Sequence, residues 1–368
     1  MGPVIASSTF AVREYGSAVM YAKGKILIAG GDVSSGTHTS SAQWLDLTAT
    51  TPVWRSAGQM QYKRMHLNTT LLPDGKVLVT GGNQSGTVNE YEAVLPAELW
   101  TPPATGTTGT GSWQTLAPMQ VPRLYHSTAV LLPDGRVLST GGGAGGGFEN
   151  HPDYEVFSPP YLFSGPPRPQ ITAAPVAIKY GQSFQVTIDP TVPVANIAQV
   201  RLVRLSSVTH SFNMNQRGVD LTISSRSGTT LTIAPPTSAD DWCPPGHYML
   251  FAVSSAGVPS VARILSISSN TCLPSLTLTP STLSTTGCVS QMRVTAAGQN
   301  LGSTFYWTVD GVPVPGNAST YNFQQGLNSP NKYQHRIAVS VLPGAGCGTI
   351  PVTAEIAVTS YFPTCLPD

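Results

Sequence analysis

One sequence unit occurs three times in the first part of the chain: an apolar run, a tight turn, a second apolar run and a Gly-Gly pair. The units lie at residues 18–31, 71–82 and 131–142, so their Gly-Gly pairs are 51 and 60 residues apart. A tryptophan-rich hairpin follows the first two units. A period near 50 residues with four short strands and a double glycine is typical of a kelch β-propeller, with one blade per repeat.

The number of units leaves the shape of this region open. A propeller typically needs at least four blades to close its ring, and the sequence holds about three. Either chain outside this sequence completes the ring, or the blades stack as an open array that leaves apolar faces exposed.

Composition fits an all-β protein of two or three domains. The chain has 368 residues, of which 36 are Gly and 32 are Pro, and many short apolar runs stand between turn residues. The net charge is +1, so no basic surplus favours a nucleic-acid partner. We find no stretch apolar enough to span a bilayer and no convincing long helix.

The domain organisation follows from where the repeats end. Residues 1–165 are predicted to form a partial kelch propeller of about three blades. A Pro-rich linker follows, and residues 166–270 alternate like the strands of an immunoglobulin-like β-sandwich. Residues 271–368 are predicted to form a second, small, disulfide-bearing β-sandwich with an accessory role.

Cysteine usage indicates an oxidising, extracellular environment. Four of the five cysteines fall in the last hundred residues, and of their three possible pairings we favour Cys288–Cys347 and Cys272–Cys365. Cys243 is predicted to be a buried thiol. The N-terminus carries no signal peptide, so a secreted composition without an export signal suggests that the start of a longer chain is missing.

Three side chains could bind a metal. Tyr125 and His126 stand just before the first strand of the third unit, and His210 lies in a turn-like segment between two sandwich strands. Imidazoles suit copper, and a phenolate can complete such a site. Aligned on the hairpin glycine, His126 corresponds to His66 and Tyr15, so the Tyr-His pair occurs in one unit alone. An isolated Tyr-His pair is more often an ordinary pair of strand residues.

Five motifs in the same order make the metal-binding interpretation specific. They lie at residues 16–27, 123–137, 150–162, 208–217 and 245–260. Together they resemble the copper radical oxidases, the family of galactose oxidase and glyoxal oxidase. The resemblance covers about residues 10–268 and implies a seven-bladed kelch propeller followed by a sandwich, one loop of which carries a histidine up the propeller axis.

The resemblance also implies a set of copper ligands. The family binds one Cu(II) through an axial Tyr and the adjacent His, which correspond to Tyr125 and His126. A loop His corresponds to His210, and an equatorial Tyr is cross-linked to a Cys as a radical cofactor. The axial phenolate, Tyr125, would take the proton of the substrate hydroxyl. The equatorial Tyr and its Cys lie upstream of the matched region, so this sequence does not encode the Tyr-Cys radical.

Two functions are compatible with these observations. In the first, the chain is the C-terminal part of a secreted mononuclear copper radical oxidase that oxidises primary alcohols or aldehydes with O2 to give H2O2. Its substrate would be a small alcohol, aldehyde or carbohydrate, and it would be inactive without the missing N-terminal blades. The alternative is a non-catalytic kelch and β-sandwich protein that binds a carbohydrate or a cell surface.

Other residues of the matched motifs are predicted to support the site. His66 is equally compatible with the core and with a position near the site. His151 and His247 are predicted to have packing roles, and residues 215–217 to brace the histidine loop. His38 is predicted to face solvent.

Overall fold

The all-β class is confirmed. In the residues that it describes, the computed structural model contains 31 strands, three single-turn 3-10 helices and no α-helix. By its internal contacts the chain divides into two compact units, unit 1 at residues 1–267 and unit 2 at residues 268–368. The structure describes residues 12–34, 36–85, 90–143, 149–163, 165–239, 242–268, 275–281, 284–286, 289–299, 301–326, 332–343 and 351–361.

Each sequence repeat forms one antiparallel sheet. Sheet 1 has the strand order β1-β2-β5-β6, while β3 and β4 pair with each other beside it. Its first strand alternates buried and half-buried positions, as expected for a half-buried sheet. The strands are β1 (Ser17–Ala22), β2 (Lys25–Ala29), β3 (Asp32–Ser34), β4 (Thr37–His38), β5 (Ser41–Asp46) and β6 (Arg55–Gln59).

Sheets 2 and 3 follow the same plan, but the described part of sheet 3 has one strand fewer. Sheet 2 has the order β10-β9-β8-β7 and sheet 3 the order β11-β12-β13. A 3-10 turn at Glu90–Glu92 precedes β9, and another at Pro160–Leu162 follows β13. The strands are β7 (Asn68–Leu71), β8 (Val77–Thr80), β9 (Pro96–Thr101), β10 (Ser112–Pro118), β11 (Thr128–Leu131), β12 (Val137–Thr140) and β13 (Tyr154–Phe157).

The Gly-Gly pairs explain how neighbouring sheets are joined. The backbone N–H of Gly31 in sheet 1 donates to the carbonyl of Arg64 at 2.9 Å, just before sheet 2. In the same way Gly82 donates to the carbonyl of Arg123 at 2.8 Å, just before sheet 3. The guanidinium of Arg64 also donates to the carbonyl of Gly81 at 2.9 Å. The repeated glycines and arginines therefore form a repeated hydrogen-bonded joint.

The predicted sandwich is a single sheet that curls around its own core. It has eight strands in the order β14-β16-β21-β20-β17-β22-β23-β15. Strand β20 pairs with β17 through residues 218–221 and with β21 through residues 222–227, so it carries the sheet from one layer to the other. The eight strands are β14 (Ile171–Ala173), β15 (Ala177–Lys179), β16 (Phe184–Ile188), β17 (Ile197–Arg204), β20 (Gly218–Ser227), β21 (Thr230–Ala234), β22 (Gly246–Ser254) and β23 (Arg263–Ser268). Two further strands, β18 (Val208–Thr209) and β19 (Phe212–Asn213), pair only with each other, and a 3-10 turn lies at Val194–Asn196.

Two hydrophobic clusters stabilise unit 1. One lies inside the curled sheet and includes Cys243, which is a fully buried thiol as predicted. The other joins residues of sheets 1–3, such as Trp100, to Phe251 and Val203 of the curled sheet. Because this second core is shared, contacts do not separate the repeat sheets from the curled sheet, and the boundary at residue 165 stays a prediction.

The described residues of unit 2 form two four-stranded sheets around one core. In one sheet β26 pairs with β24, β25 and β29; the other has the order β28-β27-β30-β31. Buried residues of both sheets, including Met292, Phe323 and Trp307, form one cluster. The strands are β24 (Thr277–Pro280), β25 (Ser284–Thr286), β26 (Val289–Ala297), β27 (Leu301–Val309), β28 (Val312–Pro313), β29 (Thr320–Gly326), β30 (Lys332–Pro343) and β31 (Val352–Tyr361).

Two further predictions concern the disulfides and membrane-spanning helices. The four cysteines of the predicted disulfides, Cys272, Cys288, Cys347 and Cys365, lie outside the described residues. Among the residues that are described, no helix has the length and apolar character to cross a membrane.

Candidate metal centre

Each repeat presents one ring-bearing residue in the left-handed backbone conformation at the same position. Their φ angles are 53° at Tyr15, 58° at His66 and 65° at His126. This conformation is uncommon for residues other than glycine and costs about 1–3 kcal/mol, so it persists only where surrounding contacts impose it. The alignment of these three residues on the hairpin glycine is therefore confirmed in the backbone.

The third repeat contains one additional residue at this point. Arg13 and Arg64 precede the left-handed residue of their repeats by two positions, whereas Arg123 precedes His126 by three. All three guanidiniums donate to the carbonyl of the first glycine of their own Gly-Gly pair. Since the arginines are held in equivalent places, the additional residue lies between them and the left-handed position. Tyr125 stands directly before that position and faces the candidate site.

His210 reaches the same place from the curled sheet. Strands β18 and β19 form a hairpin with a two-residue turn. The turn residues are His210 and Ser211, with φ angles of 50° and 67°. Positive φ at both turn residues defines a type I′ turn, which Asn-Gly normally occupies. The hairpin contacts β1, β7 and β11, the first strands of sheets 1, 2 and 3. The prediction that this segment leaves the sandwich is correct.

Hydrogen bonds to sheets 1 and 2 hold the hairpin in place. The Ser17 hydroxyl donates to the carbonyl of Ser211 at 2.6 Å. The Gln216 side-chain oxygen accepts from the backbone N–H of Leu71 at 2.6 Å, and its amide nitrogen donates to the carbonyl of Thr69 at 3.2 Å. The predicted bracing role of residues 215–217 is confirmed for Gln216.

The three predicted metal-binding residues come together. Ring centroids are 3.9 Å apart for Tyr125 and His126, 5.0 Å for His126 and His210, and 5.7 Å for Tyr125 and His210. His126 and His210 are exposed and Tyr125 is half-buried. Residues from two distant parts of the sequence therefore present two imidazoles and a phenol around one point that solvent can reach.

At both imidazoles the hydrogen bond to the protein is made by Nδ1. His126 Nδ1 lies 3.0 Å from the carbonyl of Gly143. Because a carbonyl only accepts, the proton is on Nδ1 and the lone pair is on Nε2. His210 Nδ1 is hydrogen-bonded to the Thr209 hydroxyl at 2.7 Å. The donors present thus fit a copper ion bound through two Nε2 atoms and one phenolate oxygen.

The phenol is essential to this donor set. Within the described residues no group of three or more His, Cys, Asp and Glu side chains could hold a metal ion. Two imidazoles without Tyr125 would leave the site one protein donor short of the predicted three.

The rings of two further residues lie near the Tyr125 ring. The Tyr15 ring lies 5.8 Å from the Tyr125 ring and 4.6 Å from His66, which itself lies 5.0 Å from Tyr125. Burial lowers the pKa of His66 to about 4, and His38 and His126 add to this effect. His66 is therefore near the site as a neutral imidazole. Sequence reasoning missed Tyr15, although its alignment with His66 was the signal that could have found it.

The remaining histidines of the matched motifs have other contacts. His151 Nε2 lies 2.5 Å from a carboxylate oxygen of Glu90 and so joins the loop before β13 to the turn before β9. His247 is half-buried on β22, and burial lowers its pKa. The contact of His151 and the burial of His247 both agree with packing roles. The prediction that His38 faces solvent is wrong: β4 pairs with β3 and leaves His38 only 8% exposed.

Comparison with known proteins finds two matching family models. Residues 33–161 match the glyoxal oxidase N-terminus, and residues 168–267 match the galactose oxidase-like, Early set domain. Both matches end before unit 2. The second covers the curled sheet and includes the His210 hairpin.

Individual relatives agree with the two models. The chain is 33% identical to a galactose oxidase of Gibberella zeae over 68% of its own length and 37% of that protein's. It is 37% identical to the aldehyde oxidase GLOX of Vitis pseudoreticulata over 59% of its length. A fungal alcohol oxidase of the AA5 family, solved in complex with copper, superposes with a TM-score of 0.61, 33% identity and 70% coverage of this chain.

The matched region is a part of each relative. It spans 37% of the galactose oxidase, 43% of the aldehyde oxidase and 54% of the chain of the alcohol oxidase structure.

Proposed function

Because residues 33–267 belong to the family of galactose oxidase and glyoxal oxidase, we propose that this chain is the C-terminal, copper-binding part of a mononuclear copper radical oxidase. The reaction would be RCH2OH + O2 → RCHO + H2O2, or for a hydrated aldehyde RCH(OH)2 + O2 → RCOOH + H2O2. The convergence of Tyr125, His126 and His210 from two sequence regions is the observation that carries this proposal.

The three residues have separate roles in this proposal. His126 and His210 bind the metal through Nε2, and the carbonyl of Gly143 keeps His126 in the required tautomer. Tyr125 completes the donor set, and its phenolate oxygen takes the proton of the substrate hydroxyl. When bound, copper would accept one of the two electrons released by the substrate, and the Tyr-Cys radical of the family would accept the other.

The radical would come from outside the described residues of this chain. Cys243 is buried in the core of the curled sheet, in a motif that differs from the family's cross-linked cysteine. Tyr15 contacts the rings of His66 and Tyr125, and we assign it no cross-link. The proposal therefore requires further blades that supply the equatorial Tyr and its Cys, and this chain alone would be inactive.

We propose a secreted enzyme with a small primary alcohol, an aldehyde or a carbohydrate as its substrate. Only 10% of the residues are charged, and four cysteines cluster near the C-terminus, which favours an oxidising compartment. The similar proteins are by name a galactose oxidase, an aldehyde oxidase and an alcohol oxidase, so the proposal extends to this substrate class and not to one compound.

The test uses the natural protein that contains these residues together with its upstream region. Copper-loaded protein would be assayed for O2-dependent H2O2 release with benzyl alcohol, galactose, glycerol and methylglyoxal. We expect turnover of at least one compound and a loss of about 100-fold or more in Tyr125→Phe, since general-base catalysis contributes about that much. No turnover with any compound, together with an upstream region that lacks a Tyr and a Cys in kelch repeats, would sink the proposal.

A second candidate is a non-catalytic protein that binds a carbohydrate or a cell surface. It is favoured by unit 2, which lies outside both family matches. This candidate predicts that the natural protein takes up no copper. It also predicts unchanged polysaccharide affinity in the double variant Tyr125→Phe plus His210→Ala.

A further inference from the structure

A polar concavity of about 510 Å³ lies on unit 2, far in sequence from the candidate metal centre. It is lined by Ser281 and by two facing strand segments, residues 291–293 of β26 and 322–324 of β29. Its volume falls within the range of about 300–1,000 Å³ that small-ligand sites occupy. Neither the family matches nor the proposed oxidase function gives it a role.

The strand register decides which side chains reach this concavity. Strands β26 and β29 pair antiparallel, with Met292 directly opposite Phe323. Both side chains are buried, 6% and 2% exposed, and belong to the core of unit 2. Because successive side chains of a strand point to opposite faces, the neighbours of Met292 and Phe323 must lie on the outer face.

Those neighbours form two polar cross-strand pairs. Gln291 stands opposite Gln324, and Arg293 stands opposite Asn322. All four side chains are exposed. The carboxamides can both donate and accept hydrogen bonds, which suits the hydroxyl groups of a sugar.

The guanidinium of Arg293 is positioned before any ligand arrives. Its Nε donates to the side-chain oxygen of Asn322 at 3.2 Å. The backbone of Arg293 is joined to Ser281 twice, through the Ser281 hydroxyl at 3.0 Å and the Ser281 N–H at 2.7 Å. A guanidinium that is already held loses less entropy when it binds a carboxylate.

Charge decides between neutral and acidic ligands. Among the lining residues that the structure describes, Arg293 is the one with a charged side chain. A guanidinium binds carboxylates in a planar, two-bond geometry, which is stronger than a bond between neutral groups. We propose that this concavity binds an acidic glycan, with a sugar carboxylate on Arg293 and adjacent sugar hydroxyls on Gln291 and Gln324.

The test is calorimetric titration of the full chain with oligogalacturonate and, as the matched neutral ligand, its methyl ester. We expect the acid to bind and the ester to bind at least about tenfold more weakly, because a hydrogen bond to a charged group contributes more than a neutral one. Arg293→Gln should weaken binding of the acid by about tenfold or more, and Gln324→Ala should weaken it less. Equal thermal stability of the variants would exclude misfolding as the cause.

Arg336→Gln is the control, because Arg336 is also exposed in unit 2 and pairs with Glu355 at 3.2 Å. Its binding should match that of the unchanged chain. The proposal is overturned if neither ligand binds, if acid and ester bind equally, or if Arg336→Gln loses as much affinity as Arg293→Gln. The double variant Tyr125→Phe plus His210→Ala should keep its glycan affinity, so this result is independent of the oxidase proposal.

Discussion

Sheets 2 and 3 contain the same Gly-Gly pair but differ in what stands beside it. A methyl group added at Gly81 in sheet 2 would overlap the carbonyl oxygen of Arg123, which belongs to the next repeat, and Gly30 in sheet 1 meets its neighbour in the same way. At Gly141 in sheet 3 the nearest atom is the carbonyl oxygen of His126, in its own repeat, at 3.3 Å. The repeated motif thus fixes the backbone conformation of the glycine. Whether a side chain at that position would also collide depends on how closely the next repeat approaches it.

The same two repeats also differ in chemistry. Both place a residue in the left-handed conformation beside the site, His66 in one case and His126 in the other. In the third repeat Tyr125 stands directly before His126, at the position that Met65 and Glu14 occupy in the other repeats, so this one repeat would provide two of the proposed donors. We infer that the repeats provide the positions and that the residue types at these positions provide the proposed metal chemistry.

The largest expected effect concerns the buried arginines of the two repeats. Arg64 pairs with Glu98, and both side chains are almost fully buried at 0% and 1% exposure. Arg64→Met would leave that carboxylate buried without its cation, which costs about 3–5 kcal/mol. Arg123 pairs with Asp153, which is 52% exposed and can be hydrated, so Arg123→Met should cost less. Urea unfolding of both variants measures the difference, and equal losses would contradict the comparison.

The next test replaces one glycine in each sheet. Gly81 and Gly141 have nearly the same φ, 69° and 70°, so alanine should cost each about 1–2 kcal/mol for the left-handed conformation. Gly81→Ala should cost about 1–3 kcal/mol more, because its methyl group overlaps the carbonyl of Arg123. Thermal and urea unfolding give both values. If Gly141→Ala proved as harmful as Gly81→Ala, the neighbouring sheet would not be the cause.

A smaller effect, on copper binding, is expected from Tyr15, the ring-bearing residue of the first repeat. Tyr15→Leu removes the edge contacts to Tyr125 and His66, each of which contributes about 0.5–1.5 kcal/mol. We expect Cu(II) affinity to fall by less than about tenfold and the phenolate absorption band of the copper-loaded chain to shift. Tyr15→Phe keeps the ring and should leave both unchanged. An equally strong effect of Tyr15→Phe would assign the role to the hydroxyl and not to the ring.

The smallest expected effect concerns His247 in the curled sheet and the pH dependence of stability. Burial lowers the pKa of His247 below its usual 6.5, so on acidification the unfolded chain takes up this proton first. His247 therefore reduces stability as the pH falls below about 6.5. His247→Gln should make the pH dependence of urea unfolding shallower between pH 7 and 5. Gly141→Ala adds no titratable group and should keep the original slope; a slope unchanged in His247→Gln would refute this assignment.

Much of the repeat region was predictable from the sequence because its signals are local. The hairpin turns, the Gly-Gly pairs and the correspondence of Tyr15, His66 and His126 all depend on residues close together in the chain. The excursion of His210 was predictable from a turn-like segment between two strands. The contacts that side chains make across neighbouring sheets were not predictable in this way.

The wrong prediction for His38 shows why. A two-residue strand gives no periodicity from which to choose a face, and here His38 is on the buried one. The pairing of β20 with two different strands depends on a bend that no short pattern reveals. The ring contacts of Tyr15 likewise arise between repeats, so they follow from the assembled sheets and not from the sequence of either one.

The central claim is that Tyr125, His126 and His210 form a copper half-site in this chain, and Cu(II) titration by calorimetry and electron paramagnetic resonance tests it most directly. The account predicts one Cu(II) per chain with a nitrogen-rich signal. His210→Ala should remove one nitrogen donor and Tyr125→Phe the phenolate absorption, while Tyr91→Phe, at a side chain 96% exposed, should change nothing. Weak binding that is identical in all four proteins would contradict the claim.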